Sequence, residues 1–267
     1  METLNVRKPA VADAFYPGEP DELKGMVSKF LKNAKDPKIE GNLRALVVPH
    51  AGYIYSGPVA AFGYKLLAKN ADKFNKIILI GPSHFASFPG AAESGATGWQ
   101  TPLGIVKSAP LDEGKKAKNI FLTIPEVHAP EHCLEVQLPF LQSVMEKDFA
   151  IYPLLTGEIE PAELAAALSK FVDEGTLIIA SSDLSHYNPY ERALKLDSIC
   201  NKAIPALDIK TMEESGDACG KAAILTLMNI AKKKKWKGKL LDYRNSGDTA
   251  GPKDSVVGYG CYAFFEV

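Results

Sequence analysis

Two short stretches of the chain are apolar at nearly every position. They are LRALVVP at residues 43–49 and KIILIG at residues 76–81, with SGPVAAFGYKLLAK between them. A strand without polar alternation is covered on both faces, as in a sheet sandwiched by helices. The intervening segment has helical character, with Ser56 as the expected N-cap and Pro58 just inside the first turn. Strand, helix, strand at this spacing is a βαβ unit, so the two strands run parallel. The pattern returns further on: FAIYPLL is a strand, PAELAAALSKFVD an amphipathic helix and TLIIASS another strand. This alternation predicts an α/β fold with a mixed, largely parallel sheet flanked by helices.

The rest of the chain fits around that frame. PDELKGMVSKFLKNA carries Leu23, Met26, Val27, Phe30 and Leu31 at helical spacing. SGATGWQTPLGIVKS reads as a β-excursion turning near Pro102-Leu103-Gly104, and LDEGKKAKN as a short helix. APEHCLEVQLPFLQSVM reads as a helix that Pro139 should kink or stop. Two more helices are expected over residues 190–208 and 217–231. KGKLLDYRN and VVGYGCYAFFEV read as a terminal antiparallel pair. No repeat or low-complexity linker divides the chain, so residues 1–267 are expected to form one domain.

Charge narrows the partners. Lys and Arg number 31 against 32 for Asp and Glu, which leaves no basic excess to attract nucleic acid or an anionic membrane. The cluster Lys232–Lys235 follows an apolar helix and reads as a solvated helix end. The N-terminal stretch has no apolar core of a signal peptide, and no apolar run reaches the length of a membrane span. Cys133, Cys200, Cys219 and Cys261 show no CxxC or framework spacing, so a cytoplasmic protein with free thiols is expected.

The histidines carry the functional signal. His50 follows the strand at 43–49, His84 the strand at 76–81, and Asp183 and His186 the strand at 176–182. In an open α/β sheet, the carboxyl ends of parallel strands share one edge, and ligands bind in the crevice there. His50 and His84 supply imidazoles, the commonest transition-metal ligands. Asp183 and His186 supply a carboxylate and a proton-transfer group, with an N-cap or Asx turn as the alternative for Asp183 in DLSH. His132 and Glu135, one helical turn apart, could orient an imidazole or cap a helix start. Cys219 stands at the expected start of an apolar helix, where a thiol is acidified. Tyr53, Tyr55 and Ser56 neighbour His50 at a helix start that could bind an anionic or aromatic group. Cys133, Cys200 and Cys261 read as core residues.

Seven segments, AVADAFYPGEPDEL, VVPHAGYIYSGPVAAFGY, ILIGPSHF, EHCLEVQLPFLQ, ASSDLSHY, DACGKAAI and VVGYGCYAFF, resemble in order the Memo family. Its prokaryotic members are described as the Memo-like component, protein B, of the AmmeMemoRadiSam system. The resemblance spans nearly the whole chain. It implies a fold similar to the class III extradiol dioxygenases, which open catechol-like rings with non-haem iron. It also implies His50, His84 and Cys219 as metal ligands and Asp183 and His186 as the remaining pocket residues. Cysteine in place of a carboxylate departs from the two-histidine, one-carboxylate pattern of such enzymes and weighs against ring cleavage. The implied cofactor is a divalent metal, iron first, with copper or zinc as alternatives suited to a soft thiolate. The expected activity is a metal-dependent oxidoreductase. The alternatives are a binding module for an anionic or aromatic, phosphotyrosine-like group, and a zinc-dependent hydrolase. Implied partners are a small aromatic or anionic ligand and radical-SAM-associated proteins.

Overall fold

Successive residues of the central strands feed two separate apolar cores. Ile77 and Leu79 point into one, and Ile78 and Ile80 into the other, as the two-residue period of a strand dictates. The structure is a computed structural model and describes residues 5–112, 114, 119–145 and 147–267. In chain order its elements are β1 (Val6–Arg7), α1 (Pro20–Asn33), β2 (Asn42–Val48), α2 (Tyr53–Ala68), β3 (Lys76–Pro82), β4 (Ala91–Glu93), β5 (Gly98–Thr101), β6 (Gly104–Ser108) and β7 (Phe121–Thr123). There follow α3 (Pro125–His128), α4 (Leu138–Val144), β8 (Ala150–Thr156), α5 (Pro161–Leu168), β9 (Thr176–Ser181), α6 (Tyr190–Ala206), α7 (Ile209–Ser215), α8 (Lys221–Lys233), β10 (Lys237–Asn245), α9 (Ser246–Thr249) and β11 (Gly258–Glu266).

One 11-stranded sheet runs in the order β1-β5-β6-β8-β3-β9-β2-β11-β10, with β4 and β7 off this path. Its centre, β8-β3-β9-β2, is parallel, and β11 and β10 close one side antiparallel. Helices α1, α2 and α4 cover one face and α5 to α8 the other. This is the mixed, largely parallel α/β sheet the alternation of runs predicts. The βαβ reading of β2, α2 and β3 holds in direction but not in adjacency, because β9 lies between the two strands. Its Ile178 pairs with Ala45 of β2 on one side and Ile78 of β3 on the other. The carboxyl ends of three strands from distant parts of the chain therefore meet at one edge. Among the described residues, no helix is long and apolar enough to cross a membrane.

Several local expectations are corrected. Helix α2 begins at Tyr53 with Gly52 as its N-cap, so Ser56 lies inside the first turn rather than capping it. The Ser56 hydroxyl donates to the Ala51 carbonyl at 2.6 Å, which leaves it no role at a helix start. Pro139 neither kinks nor stops a helix. It sits in the first turn of α4, where its missing N–H has no intrahelical partner to lose, and residues 129–134, between α3 and α4, are not helical. The segment after β9 forms three helices rather than two. Leu207, at φ 55°, turns the chain out of α6, and Asp208 starts α7 by accepting from Thr211 N. The short helix read at LDEGKKAKN falls mostly outside the described residues. The turn at Pro102-Leu103-Gly104 and the terminal antiparallel pair are present as read.

Candidate metal centre

Three side chains from three loops converge at the shared strand edge. His50 follows β2, His84 follows β3, and Cys219 lies just ahead of α8. One ligand atom from each lies within 4.8 Å of the others. Cys219 Sγ and His50 Nε2 are 3.2 Å apart. Two ligands of one tetrahedral ion, at metal–nitrogen and metal–sulfur distances of about 2.0 and 2.3 Å, stand roughly 3.3–3.6 Å apart. The donor set suits a transition-metal ion, and the Cys219–His50 separation is slightly shorter than that spacing. His50 is buried at the floor of the site, while the His84 side chain retains 28% exposure and marks the open side.

Each imidazole is held by its Nδ1. That of His50 meets Ser181 Oγ at 3.0 Å, and that of His84 meets Glu131 Oε1 at 3.0 Å. In both rings this leaves Nε2 for the cleft. Glu131 is the carboxylate of the site, and it is itself well satisfied. It accepts from the backbone N–H groups of His84, His132 and Cys133. Burial alone would raise its pKa, but the hydrogen bonds from the His84 ring and from the His84 and Cys133 amides bring it down to about 2. Burial and the neighbouring His132 and His84 push His50 well below the ordinary histidine value, so its ring is neutral.

Asp183 ties the two halves of the site together. Its carboxylate accepts from His50 N at 2.7 Å and from the Ala51 amide. Its main chain holds the cysteine, for Cys219 N donates to the Asp183 carbonyl at 3.2 Å. Asp183 is thus a clamp between loops rather than an Asx turn within its own. Burial pushes its carboxyl up to about 7 against the pull of the two amides. The Gly220 amide at the start of α8 draws the Cys219 thiol down, but burial, followed by the Asp183 charge, outweighs it and pushes the thiol up to about 12. Without a cation beside it the sulfur keeps its proton, a correction to the expectation from helix position alone.

The other residues singled out in the sequence fall in different places. His186 lies close enough for its charge to act on His50, and its ring bonds the Leu184 carbonyl. Burial lowers its pKa, so it too is neutral. His132 stacks on His84 with ring centroids 4.7 Å apart, and its Nδ1 stands 3.2 Å from Glu131 Oε1. Glu135, read as its partner on one helix face, points away. It is fully buried and accepts from Arg7 at 2.7 Å, Tyr16 OH at 2.6 Å and the amides of Ala10 and Val11, which anchors the N-terminal segment. Arg7 and Glu135 are buried together, and satisfying both is what makes the pair tolerable. Tyr53 is a core residue whose hydroxyl donates to the Val136 carbonyl at 2.6 Å, and Tyr55 packs against the same core. With Ser56 turned to Ala51, Tyr53 and Ser56 offer no free group to an anion. Glu131, Ser181 and Gln137 were missed. The only sequence signal for Glu131 is its position beside His132.

A family model described as Memo-like protein matches residues 7–263. A MEMO1 family protein of Nitrosopumilus maritimus (strain SCM1) is 34% identical over 280 residues, covering 97% of this chain and 99% of its own. A MEMO1 family protein of Saccharolobus solfataricus is 37% identical over 281 residues, covering 95% of this chain and 97% of its own. In fold, the chain is similar to the crystal structure of an uncharacterized protein from Escherichia coli K12. The TM-score is 0.52 at 12% identity, with 82% of this chain and 99% of that one covered. At that identity the likeness is one of fold alone.

Proposed function

The chain belongs to the Memo-like protein family, and on that premise we propose a metalloprotein of oxidoreductase type, with a redox-active divalent metal held by His50, His84 and Cys219. The observation that carries this reading is the approach of their ligand atoms, from three separate chain segments, to within 4.8 Å of one another. Two imidazoles and a thiolate suit iron or copper, and a thiolate excludes the hard-cation class that prefers oxygen ligands. A metal bound there supplies a Lewis-acidic, redox-active position at the open side of the site.

The chain's own groups do the rest. His50 binds from a dry floor, which keeps water from one side of the site. His84 binds at the mouth, braced by Glu131, which raises the basicity of its ring nitrogen. Asp183 holds the His50 main chain and the Cys219 loop at a fixed separation. His186, neutral and within electrostatic reach of His50, accepts or returns a proton at its imidazole. Phe85 and Tyr187, each next to a site histidine, are 61% and 77% exposed and favour an aromatic or apolar ligand at the mouth. Four free cysteines support a reducing, cytoplasmic setting. Association with radical-SAM proteins rests on the family resemblance alone.

Elemental analysis of protein purified without added metal tests the proposal, alongside His50→Ala, His84→Ala and Cys219→Ser. Iron or copper that is lost in all three variants is the expected result. Tight zinc would favour the hydrolase instead. Equal metal content in wild type and variants, or none in either, would leave only the binding-module reading.

A further inference from the structure

Which nitrogen of His50 carries the proton follows from the groups behind it. The chain of contacts starts at Pro49, whose carbonyl can only accept. The Gln137 atom 3.0 Å from it is therefore the amide nitrogen, and the same nitrogen donates to Ser181 Oγ at 2.8 Å. That orientation leaves Gln137 Oε1 facing Tyr64, whose hydroxyl donates to it at 2.7 Å. Ser181 has one proton, and the Cys133 carbonyl, another obligate acceptor, takes it at 2.7 Å. The seryl oxygen then has only a lone pair to offer His50 Nδ1 at 3.0 Å. Two acceptors cannot bond without a hydrogen between them, so His50 Nδ1 is protonated and Nε2 is bare. All four side chains are essentially excluded from solvent, with exposures of 0% for Tyr64 and Ser181, 1% for Gln137 and 2% for His50.

We propose that Tyr64, Gln137 and Ser181 act as a tautomer lock, a chain of neutral hydrogen bonds that keeps the His50 proton on Nδ1 and presents a bare Nε2 to the metal. They are positioning residues that act through His50, and the proposal rests on reading His50 as a ligand. A buried serine, glutamine and tyrosine have no packing advantage over apolar residues of like size. Partly satisfied, each unpaired group would carry its desolvation cost uncompensated. Here every member is paired, which is the condition under which a buried polar network specifies one arrangement. The lock also accounts for the cysteine contact. A bare Nε2 accepts from the Cys219 thiol at 3.2 Å, and both atoms then turn to the same cation. If the seryl oxygen is lost, nothing holds the proton on Nδ1. Moved to Nε2, it would occupy the lone pair the metal needs.

The test uses the full chain and two readouts. The first is the imidazole nitrogen-15 spectrum of metal-free protein, which reports each histidine's tautomer without any metal. The second is affinity for Zn(II), used as a spectroscopically silent probe and measured by chelator competition. Wild type should show His50 as the Nδ1–H tautomer. Ser181→Ala should move it toward Nε2–H and weaken zinc binding by roughly 10–100-fold. Gln137→Met, which keeps the serine but removes its donor, should show a smaller shift. Tyr64→Phe should show the least, because Pro49 still orients the amide. Should Ser181→Ala fail to fold, Gln137→Met is read in its place. An Nε2–H tautomer in wild type, or a folded variant with wild-type tautomer and affinity, overturns the lock. The two ideas fail separately. If His50→Ala binds zinc as wild type does, the ligand reading falls, while the tautomer spectrum still reports on the lock.

Discussion

His50 and His84 offer the same ring atom to the same point and are held by opposite means. Behind His50 stands a neutral chain, Ser181, Gln137 and Tyr64, sealed in the core. Behind His84 stands a carboxylate, Glu131, whose charge is met by three backbone amides. The supply of free backbone amides explains the difference, since Glu131 is as buried as Ser181. Beneath the sheet edge, a bare carboxylate would need several donors that a strand interior, with its amides spent on the ladder, does not supply. The loop at 131–133 has unspent amides, so a carboxylate can be buried there and still be satisfied. One imidazole is therefore fixed by hydrogen-bond bookkeeping, the other by charge.

Removing a ligand should cause the largest change. His50→Ala, His84→Ala and Cys219→Ser should each remove most of the metal, measured as metal per chain after dialysis. The metal-free proteins should then differ. His50→Ala, which strips the Ser181 network of a partner in a dry site, should cost about 1–3 kcal/mol in chemical denaturation, against less for the more exposed His84→Ala. Equal costs would remove the distinction of depth.

Next comes the clamp. Glu131→Gln keeps the shape but turns an NH2 toward backbone amides and removes the charge behind His84. It should lower metal affinity by roughly 10–100-fold. It should also destabilise the metal-free chain more than His84→Ala does, in the same denaturation measurement. A harmless substitution would mean that His84 needs no carboxylate.

A smaller, selective effect is expected at the cysteine. Chelation should raise alkylation of Cys219, read by peptide mass, and leave Cys133, Cys200 and Cys261 unchanged, since those three are fully buried. Uniform labelling, or none at position 219, would detach the thiol from the two histidines.

His128 is the control, with the smallest effect expected on metal. It is wired the other way: Nε2 bonds the Ala92 carbonyl at 2.9 Å, while Nδ1 is buried with no hydrogen-bond partner among the described residues. Burial holds its pKa down at about 4, partly offset by that bond. The folded pKa lies below the unfolded value, so the unfolded chain takes up the proton first as pH falls. The stability due to the neutral ring is complete above about pH 6.5 and is lost toward pH 4, by about 3 kcal/mol for a single group. His128→Gln should flatten that part of the stability–pH curve without changing metal content. Loss of metal in this variant would mean that the second buried imidazole is coupled to the site.

What could be read from the sequence was local. Apolar runs mark β2, β3, β8 and β9 because a strand covered on both faces has no polar alternation. His50, His84 and His186 were visible because each lies just past such a run. The insertion of β9 between β2 and β3 was invisible, since pairing partners leave no trace in local periodicity. The one-face reading of His132 and Glu135 fails because α4 begins at Leu138, beside Pro139, and does not reach back to His132. Glu131 carries no signal in the sequence beyond its place beside His132. Ser181 and Gln137 read as minor polar interruptions of apolar segments. Only the fold shows that both touch the same ring.

The order of the strands also sets a timetable. Cys219 lies 169 residues beyond His50, and β9 must slot between two strands translated long before it. Parallel pairing at such separation is slow to form, because the chain loses loop entropy before the contacts repay it. On a ribosome, both histidines would emerge well before the sulfur that completes the set. A complete ligand set is therefore a property of the finished molecule, and metal acquisition becomes a late event that reports on whether the sheet has closed.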